Sequence, residues 1–246
     1  PVVHTLVALL AAMVAGALYA GIAGVLKAKT GANEVIVTIM LNSIATLALG
    51  YILSKKSWQV PGSNQPQTPK VADSAAFTRI LDAPFKIHVG LFVALLAVIV
   101  FWWLIERSTL GFEIRAVGLN PHASEYAGIS AKRTIILSMI ISGALAGLGG
   151  AVEGLGTFQN VYVQGSSLAI GFNGMAVSLL AANSPIGILF AAFLFGVLQV
   201  GAPGMNAAQV PSELVSIVTA SIIFFVSVHY IIERFVKPRK QLKGGK

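Results

Sequence analysis

From Val2 to Leu26 the chain runs without one Asp, Glu, Lys or Arg, and long uncharged apolar runs recur along its length. A helix crosses the hydrocarbon of a bilayer with about 20 mostly apolar residues. After the first run, 2–26, further runs fall near residues 35–53, 89–105, 134–152 and 214–232. Two shorter ones, 168–182 and 186–200, flank Asn183-Ser184-Pro185. Asn173 and Gly174 lie inside the first of these, which leaves a re-entrant loop open beside two full spans, provided protein surrounds it. The expected fold class is therefore all-α: a polytopic transmembrane helix bundle of about seven spans, one membrane domain over residues 1–246.

Composition supports a lipid environment. Of the 246 residues, 56% are hydrophobic and 11% charged, with a mean hydropathy of +0.81. Soluble domains carry roughly a quarter charged residues. The net charge of +8 is dispersed in short segments between apolar runs, so no nucleic-acid partner is expected. Cysteine is absent, which excludes disulfides, thiolate metal sites and a cysteine nucleophile. No cleavable signal peptide is recognisable. The chain begins at Pro1 with an apolar run at once, and is expected to lack an N-terminal part.

The Lys and Arg residues give an orientation. With the C-terminus inside, Lys27, Lys29, Arg107, Arg115, Lys132, Arg133 and the six from Arg234 to Lys246 make twelve on the inner side. Lys55, Lys56, Lys70, Arg79 and Lys86 make five outside, all in the loop 54–88. The excess predicts a cytoplasmic C-terminus and an external start for the first span, in a plasma-membrane protein. The loop is rich in Pro, Gln, Asn and Ser, and residues 74–81 within it suit a short interfacial helix.

The segment 106–133 is too polar to cross the bilayer and too long for a turn. Asn120-Pro121 offers an N-cap followed by Pro at the first helical position, and Gly128 a stop. A helix of about two turns is expected, parallel to the membrane on the cytoplasmic side, either docking a partner or serving as a structured loop.

At these residues the chain resembles the permeases of bacterial type II ATP-driven importers, which serve sugars, branched-chain amino acids and nucleosides. The resemblance is carried by Gly111, Arg115-Ala116-Val117-Gly118, Asn120-Pro121, Ala123 and Tyr126-Ala127-Gly128-Ile129. It extends to Asn33-Glu34-Val35-Ile36, Ser142-Gly143-Ala144-Leu145-Ala146-Gly147 and Asn183-Ser184-Pro185-Ile186-Gly187. The Asn-Glu-Val-Ile and Asn-Ser-Pro-Ile-Gly forms look most like the nucleoside branch that works with basic-membrane-lipoprotein-type binders. The resemblance implies a permease subunit for a neutral polar solute, a nucleoside or alternatively a simple sugar. It also implies cytoplasmic ATP-binding subunits, a second and different permease chain, an external substrate-binding lipoprotein and surrounding membrane lipids. On this reading Arg115, Gly118, Asn120, Pro121, Ala123, Glu125, Tyr126 and Gly128 couple to the ATPase. Ser124-Glu125 departs from the small-then-basic pair of many relatives. No cofactor of its own is expected, and without a Gly-x-x-x-x-Gly-Lys-Ser/Thr loop any ATP belongs to the partner subunits.

Polar residues within spans cost free energy in lipid and are candidates for the substrate pathway. They are Thr38, Asn42, Glu153, Asn173 and Gln199. Asn42, one turn beyond Thr38, serves either as helix glue or as lining of a hydrated path. Glu153 either bonds a polar solute or sits in water at headgroup level. Glu34 favours the N-terminus of the second span. Gln159 and Asn160 are expected in a solvated loop. Gly143, Gly147 and Ala151, with Ala146 and Gly150 on the adjoining row, are expected to admit a closely packed helix. Trp102-Trp103 reads as an interfacial belt. A secondary transporter would want acid or base groups at mid-span, where this chain offers amides. The four histidines form no catalytic spacing with an acid or Ser.

Overall fold

The computed structural model describes residues 2–55, 60, 67–81, 87–162, 170–207, 211, 214, 217–222, 224, 225 and 228. They group into two compact units, Pro1–Leu168 and Ala169–Lys246. The first unit contains α1 (Val2–Thr30), α2 (Glu34–Ser54), a two-stranded antiparallel hairpin β1 (Arg79–Leu81) and β2 (Ile87–His88), and α3 (Gly90–Arg107). It continues through α4 (Thr109–Leu119), α5 (Pro121–Tyr126) and α6 (Ala131–Glu153), which runs into a π-helical turn, Gly154–Phe158. The second unit holds α7 (Ile170–Leu180) and α8 (Pro185–Ala207). Among the described residues the fold is all-α apart from the small hairpin and an isolated bridge between Gln67 and Tyr162.

Among the described residues four helices are long and apolar enough to cross a membrane: α1, α2, α3, and α6 with its π-helical turn. They coincide with the first four predicted spans. Their apolar side chains lie largely uncovered, as lipid-facing surfaces require. The last predicted span, 214–232, lies largely outside the described residues, although 217–222 are helical.

The packing of α1 on α6 organises the first unit. A side chain at Gly16 would run into the backbone of Gly143 and Gly147. One at Gly143 would strike Gly16 and Ala20, and one at Gly147 would strike Ala12 and Met13. Further along, Gly24 lies against Ile136 and Met139, and Gly21 against Ile140. Rising numbers on α1 meet falling numbers on α6, so the helices are antiparallel and nearly in backbone contact. Lipid tails are as apolar as the side chains, so the association is driven by this close approach. Among the described residues the row of Gly143, Gly147 and Ala151 on α6 is packed, whereas in the adjoining row Ala146 is exposed and Gly150, like Gly149 beside it, faces open space.

Beyond one end of this pair, Leu9 of α1 and Leu155 of the π-helical turn enclose Phe77, with Val71, Leu148 and Val152 around them. The chain from 68 to 77 is stitched to the π-helical turn and the residues after it by backbone bonds from Thr68 N–H to Val161 (2.8 Å), Val71 to Gln159 (2.7 Å) and Phe77 to Leu155 (3.1 Å). The interfacial helix expected over residues 74–81 is absent: residues 73–76 turn, and Arg79–Leu81 is strand β1. Burial of Ala75 and Phe77 with Ala76 between them half-covered follows a period of two, which a strand satisfies and a helix does not.

For residues 168–200 the sequence predicts two short runs, as full spans or a re-entrant loop, and the two helices found there differ. Helix α7, at 11 residues, rises about 16 Å, roughly half a bilayer core. Helix α8 continues to Ala207, past the expected end at 200, with Pro203 inside it, a break that membrane helices tolerate. Ala176 and Val177 pack on Ala191 and Phe195, with Ile222 against them. The corner between the helices places Ala182 (φ 51°) and Asn183 (φ 58°) in the left-handed region.

Gly143→Ala lowers the thermal midpoint of the detergent-solubilised protein by several degrees, because its methyl meets the Gly16 backbone. Gly149→Ala, facing open space, leaves the midpoint unchanged or raises it; equal effects would contradict this packing.

Candidate functional site

The segment between α3 and α6 is two helices, not the single one anticipated. Helix α4 was not anticipated, although its signals are present. Ser108 caps it, accepting from Gly111 N–H at 3.0 Å while donating to the Leu104 carbonyl. Gly111 has no room for a side chain, since a Cβ would strike the carbonyls of Leu104 and Ile105. The chain therefore reverses sharply from α3 into α4. Arg115 returns to Glu106 at the end of α3 (3.2 Å), an exposed pair; such pairs contribute about 0–1 kcal/mol. Val117 is buried while Phe112 and Leu119 stand out.

The expected two-turn helix is α5. The Asn120 side chain accepts from Ala123 N–H at 3.1 Å, and Pro121 occupies the first position, where no N–H is required. Its far end is closed by a paired motif: Gly128 N–H to the Glu125 carbonyl (3.0 Å) and Ile129 N–H to the Ser124 carbonyl (2.9 Å). Gly128 takes φ +84°, which this closure requires and an L side chain resists. Ser130 then caps α6 through Arg133 N–H.

Burial within α5 is one-sided. Ser124 is 5% exposed, and its hydroxyl donates to the Asn120 carbonyl. Asn120, Pro121, Ala123, Glu125, Tyr126 and Gly128 are all exposed, and so is Gly118. Leu119 is 88% and Tyr126 95% exposed. The structure thus leaves Gly118 and the α5 residues singled out in sequence exposed, with Arg115 paired to Glu106 beside them. It adds Leu119, the apolar residue immediately before the cap.

The intramembrane polar candidates are distributed. Thr38 and Asn42 occupy successive turns of α2 and are exposed. Asn33 caps that helix through Val35 N–H (3.0 Å), and Glu34 pairs with Lys27 at the end of α1 (2.5 Å). Tyr19 was overlooked in sequence. A tyrosine inside a span needs a partner for its hydroxyl, and here it donates to the Leu41 carbonyl of α2 at 2.7 Å. Glu153 closes α6, half-buried, at the opposite end from α5. Asn173, half-buried on α7, and Gln199, exposed on α8, belong to the second unit. Gln159 and Asn160 are engaged in structure: Asn160 donates to the Gln67 side chain (3.1 Å), and Gln159 adopts φ 56° at the end of the π-helical turn.

At that same end His88 fills a slot between two glycines. A Cβ on either Gly90 or Gly156 would collide with its ring. The ring stacks on Phe77 with centroids 5.8 Å apart. Its Nδ1 accepts from Gly90 N–H at 3.1 Å, leaving Nε2 facing the Thr157 hydroxyl at 3.4 Å.

Residues 2–227 match the family described as branched-chain amino acid transport system / permease component. The chain is 48% identical over 239 residues to the nucleoside ABC transporter permease protein of Lactococcus lactis subsp. cremoris, covering 95% of this chain and 66% of that protein. It is 46% identical to the guanosine ABC transporter permease protein of Bacillus subtilis, over 99% of this chain and 70% of the relative. A glucose ABC transporter permease protein of Haloferax volcanii is 32% identical over 92% of this chain and 62% of its own length. The chain thus spans about two thirds of the length of these relatives. No solved structure matches it. A match over nearly all of a chain built from membrane-length apolar helices admits one assignment: it is a multi-pass membrane protein of the branched-chain amino acid transport permease-component family.

Proposed function

We propose that this chain is the membrane-spanning permease subunit of an ATP-driven importer, carrying a nucleoside delivered by an external binding lipoprotein. The observation that carries this reading is α5, a doubly capped helix in the segment between the membrane-length helices α3 and α6, with Leu119 and Tyr126 highly exposed. A flexible loop would absorb a push; a capped helix joined to α6 through Ser130 passes it on. Cytoplasmic ATP-binding subunits bind and hydrolyse the ATP, and the chain pairs with a second, different permease. α5 and the C-terminus then lie in the cytoplasm, in keeping with the Lys and Arg excess on that side.

Nucleoside is preferred as solute because the two relatives near half identity carry nucleoside or guanosine in their names. A simple sugar is the second reading, favoured by the glucose relative at 32% identity. Competition of uptake by a panel of nucleosides and sugars decides between them: inhibition by sugars alone overturns the preferred solute.

Replacing residues 120–128 with a Gly/Ser linker abolishes ATP-dependent uptake in the assembled importer, while the membrane helices still fold; retained uptake would refute the coupling role. Asn120→Ala and Gly128→Ala act more mildly. Loss of the cap costs about 1 kcal/mol, and a side chain in the left-handed region about 1–2 kcal/mol. Both variants accelerate amide exchange across α5 and weaken coupling of ATP hydrolysis to uptake, with exchange in α1 unchanged.

A further inference from the structure

Thr38, Asn42 and Thr46 follow one another at four-residue intervals, so they form a single row along α2. The hydroxyls near this row are already committed as donors. Thr38 Oγ1 donates to the Glu34 carbonyl at 2.8 Å, Thr46 Oγ1 to the Asn42 carbonyl at 3.0 Å, and Ser43 Oγ to the Ile39 carbonyl at 3.1 Å. A hydroxyl has one hydrogen and two lone pairs. With the hydrogen turned onto its own helix, what each threonine offers outward is an acceptor.

The row starts one turn into a membrane-length helix and runs to its middle, with Thr38 and Asn42 exposed and Thr46 half-buried. An amide at that depth is costly against lipid. The facing of the row is set from α1. The Tyr19 hydroxyl reaches across to the Leu41 carbonyl at 2.7 Å, pinning α2 at the residue next to Asn42 and fixing its rotation about its own axis. Tyr19 keeps 37% of its surface uncovered.

We propose that Thr38, Asn42 and Thr46 form a solute-binding row that accepts hydrogen bonds, with Tyr19 as its positioning residue, and that it selects neutral solutes by the O–H and N–H donors they present. This rests on the permease reading above and names what its pathway recognises. Ribose hydroxyls are such donors, and deoxygenated solutes lose them one at a time.

The test is uptake into vesicles by the complete importer, with guanosine, 2′-deoxyguanosine and 3′-deoxyguanosine each at concentrations that saturate the external binder. Rates then report translocation rather than capture. Thr38→Val and Thr46→Val each lower guanosine uptake about five- to tenfold, as loss of one hydrogen-bond acceptor predicts. Each changes the rate for one deoxy analogue less than twofold, so the preference for guanosine over that analogue collapses. Thr38→Ser, which keeps the oxygen, restores the preference. Tyr19→Phe, which keeps the ring and loses only the bond to Leu41, also flattens it. Equal losses for all three solutes, or no loss, would overturn the proposal while leaving the permease assignment standing. Absence of guanosine uptake by the unaltered importer would instead sink the nucleoside reading, and this inference with it.

Discussion

The approach of α1 to α6 along Gly16, Gly143 and Gly147 is the contact on which the first unit depends. Water drives apolar surfaces together in soluble proteins, but lipid gives no such bias, so association between membrane helices must come from dispersion and close backbone approach. Glycines supply that approach by presenting peptide groups where side chains would stand. Once α6 is held, both of its ends are fixed. One end receives the hydrogen-bonded chain from Thr68 to Phe77, and the other begins at the Ser130 cap directly after α5.

The contrast between the two ends is one of materials. At the α5 end order is produced locally: six residues cannot sustain a helix alone, so Asn120, Gly128 and Ile129 supply terminal bonds while Pro121 removes the need for one. Burial contributes little beyond Ser124, so the outward surface stays free. At the far end order is produced over long sequence distances, by backbone bonds between residues some 80–90 positions apart. Between these ends α2 is tied to α1 by Lys27–Glu34 near their shared turn and by Tyr19 at Leu41.

Much of this was legible in the sequence, and the reasons are specific. The first four spans follow from uninterrupted apolar length, α5 from Asn120-Pro121 and Gly128, and the glycine row on α6 from four-residue spacing. These are local rules, each needing only a short window. Helix α4 escaped because its start depends on Ser108 bonding Gly111 at a reversal no longer than the cap itself. The clasp over residues 68–77 escaped because its partners, Gln159, Val161 and Leu155, lie far along the chain, and nothing local announces a distant carbonyl. The helix expected over residues 74–81 fails for the same reason: the alternating burial of Ala75 and Phe77 appears only when the π-helical turn is present to cover Phe77. Among the candidate site residues, Thr38 and Asn42 are found together on one face of α2, whereas Glu153 belongs to the other end of the first unit.

The slot occupied by His88 ties three positions into one volume. Gly90 begins α3, Gly156 lies in the π-helical turn after α6, and the imidazole between them fills the space both glycines vacate. A methyl on either side must displace an aromatic ring, and a smaller residue at 88 leaves a void bounded by two bare backbones. Side-chain size at these positions is therefore coupled: shrinkage at 88 makes room for growth at 90 or 156.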